Sequence, residues 1–505
     1  MPEVAFLSAA AALVAALVYI VKVLIIEPLI TSPLSDIPGP KSFALTRWRL
    51  AWEDWNATRT RTIHRLHSEY RPVVRIGPNE VSFNSLSALR TIYGPGSRFG
   101  RTKFYRMFDV YGEQNLFTFH STKEHGNRKK LLSHAYSKSV VLKEPTTRLV
   151  EEKARQYLDL ISTEPQGISD VFLSMYYYSL DNITAFVYGQ HGSTRALQGS
   201  KNDQALNDDI LHPSRRRLSW FLVHFPSYTK WLYSCKPFMG RINLKSAQED
   251  LKVSEESSNA EDSSIVGQLW CHHESQRPDG MNDMQLASEC ANHFLAGIDT
   301  TSDTLMFLVL ALSLPENERF QAKFRDEVMD LTGDSLNEHG HPRVDASDRC
   351  TYLNAVIKET LRLYAPLPSN EPRSMDAQSI VDGFQIPPNT VVGMSPYIIH
   401  RDPKVFKDPR TFNPERRLGP EAIELNRHFW AFSSGGRMCI GMHLAMAEMN
   451  TVTAALYRKY RTPIAPGFEV VAPGITARVE VFSDDRFAKT KVGLAPYYNY
   501  LHIQH

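Results

Sequence analysis

Cysteine is scarce in this chain. Only five cysteines occur among 505 residues, and none of them forms a Cys-x-x-Cys pair of the kind that holds zinc. An odd, scattered set also argues against a disulfide framework. Adjacent side chains do not readily converge on one ion, so Cys271-His272-His273 is a poor zinc site. At least one cysteine is therefore available for other chemistry; the five are Cys235, Cys271, Cys290, Cys350 and Cys439.

An excess of one charge is also lacking. The 57 Lys and Arg residues nearly balance 55 Asp and Glu residues, so nothing favours a nucleic-acid partner. The 30 prolines and 26 glycines follow no period, which excludes collagen-like and low-complexity chains. There is no Walker sequence and no HExxH motif, and the glycines of residues 94–100 have the wrong spacing for a phosphate loop. With no visible nicotinamide or flavin domain, any redox chemistry needs electrons from another protein.

One long hydrophobic run stands at the amino terminus. Residues 4–26 contain a single charge, Lys22. A helix of that length spans about 34 Å, enough for the hydrocarbon core of a bilayer. Residues 1–3 carry no Lys or Arg, whereas basic residues follow the run. The positive-inside bias therefore predicts a transmembrane anchor with residues 1–3 lumenal and the body cytosolic. A buried core helix is the alternative.

The segment after the anchor is rich in proline. Four prolines lie within residues 27–40, and because proline does not continue a helix, this stretch is predicted to be a stiff hinge. A cytosolic body also predicts that the sequons at Asn56 and Asn182 are unmodified. The basic run at residues 215–217 is either an exposed turn or a contact for anionic lipid.

The body has mostly helical periodicity. Residues 120–335 place apolar side chains at helical spacing, whereas residues 50–90 favour a short hairpin beside helices. After residue 365 prolines multiply and strand-like segments such as residues 389–397 appear. The pattern predicts a mainly α fold with small β-sheets (α+β). The motifs described next are shared between its parts, which implies one domain over residues 41–505.

The strongest chemical pattern is FSSGGRMCIG, residues 432–441. Its paired glycines allow a tight turn and the close approach of a flat ligand. Cys439 stands just before a segment of strong helix propensity, where amide donors and the helix dipole would lower the pKa of its thiol. Such a thiolate is fit to bind a metal. Gly441 keeps side-chain bulk away from the sulfur, and Arg437 is placed to pair with a carboxylate of the same ligand.

A second pattern lies in the apolar run of residues 287–312, typical of a helix that crosses a core. Burying Asp299 and Thr300 in such an apolar run costs free energy, which indicates that the two side chains have a function. Gly297 weakens the helix, and Thr300 can bond back to the preceding turn, which predicts an opening for small molecules. A polar pair that merely kinks a core helix is the alternative.

Residues 432–441 match the FxxGxRxCxG loop of the cytochrome P-450 family at every fixed position, and the chain resembles that family over most of its body. The resemblance implies the cytochrome P-450 fold and haem b, with the Cys439 thiolate as axial ligand of the iron. Phe432 and Gly441 would contact the cofactor. A glycine loop around a structural cysteine is the alternative.

Two further motifs follow in the family's order. Glu359 and Arg362 fit the ExxR motif, and residues 412–416, FNPER, resemble the FxPERF segment. The resemblance implies that Glu359, Arg362 and Arg416 form a buried ion network that braces the haem pocket. A surface pair of Glu359 and Arg362 is the alternative. Arg417 departs from the pattern, which has an aromatic residue at its end.

The segment from Ala296 to Thr301 is similar to the family's (A/G)Gx(D/E)T motif. By that resemblance Thr300 would hold oxygen at the iron, and Asp299 would help to deliver protons to it. Thr301 could share the role of Thr300 if the register slips by one residue.

Cations are expected at the haem propionates, on the same resemblance. Arg437 and Arg373 stand at family positions. His125 and Lys129 replace the Trp and Arg of the family's WxxxR pair, and Arg128 is a substitute for Lys129. For each of these basic residues, a solvated surface charge is the alternative.

The reaction implied by the resemblance is the insertion of one oxygen atom from O2 into an apolar small molecule. Electrons would come from NADPH through NADPH–cytochrome P-450 reductase, with cytochrome b5 as a further candidate donor. The anchor and residues 427–445 look most like fungal microsomal members, which implies the endoplasmic reticulum membrane and secondary-metabolite biosynthesis. The side chains expected to line the substrate pocket are Phe104, Phe108, Phe117, Phe294, Leu295, Ala296 and Leu367.

Two other functions stay open from the sequence. A haem-thiolate isomerase or dehydratase would use neither O2 nor a reductase, and Asp299 with Thr300 argues against it. A membrane-anchored binding protein would keep Cys439 as a structural residue and would show no haem absorption.

Overall fold

The computed structural model describes residues 2–210, 220–227, 264–275, 280–466, 474–477, 480–483 and 502–504. Met1 of the predicted lumenal segment and the basic run at residues 215–217 lie outside the described residues.

Helices dominate the described residues. In chain order they are α1 Pro2–Val21, α2 Lys41–Leu45, α3 Trp48–Trp55, α4 Arg59–Tyr70, α5 Leu86–Tyr93, α6 Thr122–Leu132, α7 Lys138–Val141, α8 Thr146–Ser162, α9 Val171–Gly192, α10 Lys201–Ile210, α11 Ile265–Ser275, α12 Asp283–Ser313, α13 Glu318–Met329, α14 Val344–Arg349, α15 Thr351–Leu363, α16 Pro396–Ile399, α17 Ala422–Arg427 and α18 Met442–Lys459.

The strands are short, as expected for the minor component of an α+β fold. They are β1 Val73–Gly77, β2 Glu80–Phe83, β3 Gly100–Arg101, β4 Ile168–Asp170, β5 Arg373–Ser374, β6 Ser379–Val381, β7 Phe384–Ile386, β8 Val391–Gly393, β9 Gly474–Ala477, β10 Glu480–Ser483 and β11 His502–Gln504.

The larger sheet joins distant parts of the chain. Its strand order is β1-β2-β8-β5-β3, with β2 and β8 parallel and the other neighbours antiparallel. The hairpin expected near the start of the body is β1–β2. Three two-stranded pairs, β6–β7, β9–β10 and β4–β11, complete the described strands.

The amino-terminal helix extends further than the proline pattern predicts. α1 runs directly into a π-helix, Lys22–Thr31, which contains Pro28. The segment Ser8–Thr31 has a mean hydropathy of 2.6 and is not buried, so by length and composition it is able to cross a membrane. The π-helix thus ends at Thr31, within the segment predicted as a hinge. The wide π turns accommodate Pro28, whose missing N–H would interrupt an α-helix.

The core is built around α12. This helix is long and apolar enough to span a membrane, but it is largely buried inside the protein. Asn282 and Gln285 form a capping box at its start, which satisfies amide groups that would otherwise lack partners. Residues from α8, α9, α15 and α18 surround its second half in a continuous apolar cluster. The second half of α12 is thereby packed between α9 and α18.

Candidate active site

The loop that carries Cys439 is shaped by backbone constraints. Gly435 has φ +63°, and a Cβ there would lie 2.4 Å from the carbonyl oxygen of Tyr93. Only glycine fits this position, since both the conformation and the space exclude a side chain. The amide of Cys439 donates to the carbonyl of Phe432 at 2.9 Å, which closes the loop. Gly441 then leads directly into α18.

The thiol of Cys439 is accessible although it lies deep within the molecule. The sulfur is therefore open to a ligand. Burial raises the pKa of this thiol, while the amides of Gly441 and Met442 and the charge of Lys129 oppose the rise. The net direction is opposite to the sequence expectation, because desolvation outweighs the helix terminus. A bound cation would reverse it, since a coordinating thiol is deprotonated outright.

Glu359 and Arg362 of the ExxR motif form an ion network with Arg416. Arg362 donates from Nε and Nη2 to the two carboxylate oxygens of Glu359, at 2.9 and 2.7 Å. Arg416 donates to the same carboxylate at 3.0 Å. Arg362 also donates to the carbonyls of His400 and Pro409, at 2.9 and 2.6 Å. Because Glu359 and Arg362 are fully buried, the surface-pair alternative is wrong.

Several cations converge on one region beside the Cys439 loop. Burial, followed by the charges of Arg437, Arg101, Lys129 and Arg373, lowers the pKa of His125 to about 3. Burial and two neighbouring arginines likewise lower the pKa of Arg437 to about 9. His125 is therefore neutral, and the group as a whole carries an excess of positive charge.

Arg101 belongs to this group, and sequence reasoning missed it. The guanidinium lies 4.6 Å from the Tyr105 ring and 4.2 Å from the Phe117 ring, and its Nε and Nη1 have no hydrogen-bond partner within the described part of the chain. Arg101 in β3 is directly opposite Arg373 in β5. Like charges facing each other across a sheet are destabilising. Glu371 balances part of this charge through its ion pair with Arg373 at 3.1 Å, so a further anion would stabilise the group. No motif surrounds Arg101, and only the β3–β5 pairing reveals it.

Thr300 lies on an accessible face of α12. Its hydroxyl donates to the carbonyl of Ala296 at 2.8 Å, the bond to the preceding turn that the sequence predicts. Ala296 is exposed and Thr300 half-buried in the middle of a helix that is otherwise largely buried. Since residues four apart share one helix face, both side chains border an internal space.

Gly297 has a different purpose from the one expected. A Cβ there would lie 2.4 Å from Cγ1 of Ile183 in α9. The missing side chain therefore allows α9 to pack closely against α12 rather than opening a space for small molecules.

Thr301 faces away from the space bordered by Thr300. It is 2% exposed, and its hydroxyl bonds to the carboxyl of Glu448 in α18. The structure thus separates two neighbouring threonines, and the expectation that Thr301 shares the role of Thr300 is wrong. Asp299 is half-buried, and one turn further along the helix Asp303 is buried beside it. Burial, followed by the charge of Asp299, raises the pKa of Asp303.

The residues present fit a haem group on three counts. The thiol of Cys439 is accessible although it lies deep in the protein, and one face of α12 is accessible at Ala296. The guanidinium groups of Arg101 and Arg437 have buried nitrogen atoms without a hydrogen-bond partner in the described residues. The two carboxylates of a haem would supply the missing anions.

Comparisons with known proteins agree with this geometry. A family profile described as Cytochrome P450 matches residues 38–473. The chain belongs to the cytochrome P450 family.

Three curated fungal relatives are similar over most of their length. Cytochrome P450 monooxygenase aflV of Aspergillus parasiticus is 28% identical over 90% of this chain and 89% of its own. The monooxygenase tazI of Aspergillus terreus is 28% identical over 86% of this chain and 88% of its own. The monooxygenase FGM1 of Gibberella zeae is 28% identical over 87% and 88% respectively. These names are consistent with a haem-thiolate monooxygenase.

Two of the expected propionate partners of this P450 are engaged elsewhere. Arg128 forms a buried ion pair with Glu289 of α12, so it is no substitute for Lys129. Lys129 donates to the carbonyls of Gly436 and Met438, at 3.0 and 2.9 Å, and thereby ties α6 to the Cys439 loop.

Arg373 and Arg437 keep their positions in the cationic group. Arg373 donates to the hydroxyl of Tyr105 at 2.7 Å. Arg437 donates to the carbonyls of Phe119 and His120 at 2.9 and 3.0 Å, with its Nε lacking a partner in the described residues.

The aromatic residues predicted for the substrate pocket form two groups. Phe104, Phe108 and Phe117 pack edge to face, with 6.2 Å between the first two ring centroids and 5.3 Å between the last two. Phe294 and Leu295 are buried in an apolar cluster that includes residues of α9. Leu367 is 47% exposed and belongs to neither group.

Proposed function

We propose that this P450 inserts one oxygen atom from O2 into an apolar small molecule, in a fungal secondary-metabolite pathway. The accessible thiol of Cys439, deep in the protein and beside the group formed by Arg101, Arg373 and Arg437, carries the proposal. The Phe104–Phe108–Phe117 group and the accessible face of α12 support an apolar substrate. The proposed substrate classes are terpenoids, polyketides and alkaloids. The proposed reaction is a hydroxylation, an epoxidation or a multi-step oxidation.

The haem group, once bound, supplies the activation of O2, and the thiolate favours O–O cleavage. The protein's part is to hold and to orient. Cys439 is the ligand of the iron, and Phe432 and Gly441 border the cofactor. Arg101, Arg373 and Arg437 hold the propionates, with neutral His125 as a hydrogen-bond donor. Lys129 keeps the loop in place.

The proton-handling residues are on α12. The hydroxyl of Thr300 donates to the carbonyl of Ala296, so its oxygen is able to accept a hydrogen bond from another donor. Asp299 stands next to it, and a carboxylate at that position is suited to move a proton between solvent and the Thr300 hydroxyl. This pairing supports an O2-dependent reaction over a haem-thiolate isomerase or dehydratase.

Electrons must come from outside the chain. NADPH–cytochrome P-450 reductase is the proposed donor, with cytochrome b5 as a second one. The family resemblance and the positive-inside bias support a location in the endoplasmic reticulum membrane, with the amino terminus lumenal and the catalytic domain cytosolic. The apolar segment Ser8–Thr31 supports a single membrane crossing.

The first experiment tests the ligand. Full-length protein is purified with haem, reduced and exposed to carbon monoxide; a Soret band at long wavelength is expected from thiolate ligation. Cys439→Ser should lose that band. A wild-type protein without haem absorption would leave only the binding-protein alternative.

The second experiment tests the reaction. Reconstitution with reductase, NADPH and a library of apolar metabolites should give products that gain one oxygen atom by mass spectrometry. A product formed without O2 and NADPH, at unchanged mass, would instead identify an isomerase.

A further inference from the structure

A buried chain of hydrogen-bonding groups lies beside the Cys439 loop, apart from the residues assigned above to oxygen chemistry. Tyr136 follows α6 and is 3% exposed. Its hydroxyl is 2.9 Å from Nδ1 of His293 in α12. The two rings stack, with centroids 5.3 Å apart and planes inclined by 21°.

His293 is in turn next to a carboxylate. Its Nε2 is 3.3 Å from Oε1 of Glu289, although off the line of a straight hydrogen bond. Glu289 is fully buried and is held ionised by His293, by Arg128 and by the amide of Leu116, which together outweigh desolvation and lower its pKa. The imidazole of His293 thus lies between the hydroxyl of Tyr136 and the carboxylate of Glu289.

The ionised carboxylate of Glu289 favours a proton on Nε2 of His293. In that tautomer Nδ1 is the acceptor for the hydroxyl of Tyr136. An imidazole in that tautomer accepts a second proton at Nδ1, and the neighbouring carboxylate stabilises the resulting cation. His293 is therefore a base placed for the phenolic proton.

Tyr136 is also close to the iron ligand. A Cβ on Gly441 would be 3.9 Å from Cε1 of its ring, and Gly441 is two residues beyond Cys439. Burial, with the acids Cys290, Glu289, Cys439 and Glu448, raises the pKa of Tyr136 well above its usual value. Tyr136 is therefore protonated in the resting protein.

We propose that Tyr136 is a redox-active tyrosine that donates one electron to over-oxidised haem and passes its phenolic proton to His293. The inference rests on the proposed haem binding. In the step, the Tyr136 O–H bond breaks and an N–H bond forms at Nδ1 of His293. The electron reduces the haem by one equivalent, and a neutral tyrosyl radical faces an imidazolium beside Glu289. An electron from the reductase, with return of the proton, restores the phenol.

This step removes oxidising equivalents that accumulate when no substrate is bound. Without such a donor, the same equivalents would attack the porphyrin or nearby side chains. The Tyr136–His293 pair therefore protects the cofactor.

The experiment uses full-length, haem-loaded protein without substrate. The protein is mixed with an organic peracid, frozen rapidly and examined by electron paramagnetic resonance. Wild type should give a tyrosyl signal, and Tyr136→Phe should lose most of it and bleach its haem faster. Tyr457→Phe is the matched control, because Tyr457 is equally buried but bonds the hydroxyl of Thr462 rather than a base.

A second variant separates the base from the hydrogen bond. His293→Gln keeps a hydrogen-bonding side chain that takes up no proton, so the radical should be lost although Tyr136 is present. This variant also decides the matter if Tyr136→Phe does not retain haem. Equal radical yields in wild type, Tyr136→Phe and Tyr457→Phe, or a full signal in His293→Gln, would overturn the inference.

The carbon monoxide spectrum of each sample keeps the two proposals distinct. A wild-type protein without haem fails the proposed function. A protein with the long-wavelength Soret band and an unchanged radical in the variants fails only the inference about Tyr136.

Discussion

Arg417 stands where the family pattern has an aromatic residue, and its surroundings suit an aromatic ring better. It is the third guanidinium around Glu359, with Nε 3.7 Å from Oε2, and burial lowers its pKa to about 10. Its Nε and Nη2 have no hydrogen-bond partner in the described residues, and its guanidinium lies 4.9 Å from the Phe429 ring.

Arg417→Phe should therefore stabilise the protein by about 1 kcal/mol or more, because a poorly paired buried charge is replaced by a ring. Thermal unfolding of the haem-loaded protein measures this. Arg416→Phe is the control and should destabilise by roughly 3 kcal/mol, since it breaks a good bond to Glu359. A melting temperature that falls equally in both variants would contradict the expectation.

Thr300 is predicted to govern how efficiently electrons reach product. Thr300→Ala removes the hydroxyl on the accessible face of α12. The amount of oxygenated product formed per NADPH consumed should therefore fall by roughly tenfold or more. The total rate of NADPH oxidation should change much less. Thr301→Ala is the control, because that side chain faces Glu448. Unchanged coupling in Thr300→Ala would remove Thr300 from the mechanism.

At the scale of elements, the contact between α9 and α12 depends on Gly297. Gly297→Ala places a methyl group against Ile183, so it should destabilise the protein by about 1–3 kcal/mol, measured by thermal unfolding. The double variant with Ile183→Ala should lose less than the sum of the single variants.

Gly126 in α6 provides the control for helix propensity. A Cβ there meets nothing within 4 Å. Gly126→Ala should stabilise by about 0.5–1 kcal/mol. Destabilisation of the same size at both glycines would show that packing against Ile183 is not the cause.

The contact between α12 and α18 carries a pH dependence. Burial raises the pKa of Glu448 from 4.5 to about 8, with the Thr301 hydrogen bond opposing the shift. In that window the folded protein holds a proton that the unfolded chain releases. This contribution to stability therefore weakens as pH rises, by at most about 1.4 kcal/mol per pH unit.

Glu448→Gln removes this titration. The stability of wild type relative to Glu448→Gln should fall between about pH 5 and pH 8, as followed by thermal unfolding. The exposed Glu424, paired with Arg427, is the control, and Glu424→Gln should give a flat difference. A flat difference for Glu448→Gln as well would show that Glu448 is ionised in the folded protein.

At the scale of the whole molecule, the proposed anchor is attached to the body through Arg75. Its Nη1 donates to the carbonyl of Pro28 at the end of the membrane segment, and its Nη2 donates to that of Pro78, each at 2.7 Å. The full chain should remain with membranes after an alkaline wash, whereas a chain that starts at Ser32 should appear largely in the soluble fraction. Release of the full chain by the wash would contradict a membrane-spanning segment.

The active site was predictable wherever a few neighbouring residues determine it. The turn before Cys439 needs glycine at position 435 whatever the rest of the chain does, so the motif is visible in the sequence. Glu359 and Arg362 lie within one helical turn, and the family resemblance supplied their ion network with Arg416. The place of Arg101 in the cationic group was not predictable from the sequence. It depends on Arg373, which is far away in the chain but directly opposite Arg101 in the sheet.

The amino-acid sequence by itself determined the family, the cysteine motif, the apolar amino-terminal segment and the mainly helical character, since each depends on local spacing. Only the tertiary structure decided which of two adjacent threonines faces the internal space, why position 297 is glycine, and which cations gather near the loop. The rotation of α12 between α9 and α18 settles the first two, and strand pairing settles the third. These are consequences of packing between segments that are remote in sequence, where the free energy of burial outweighs local preference.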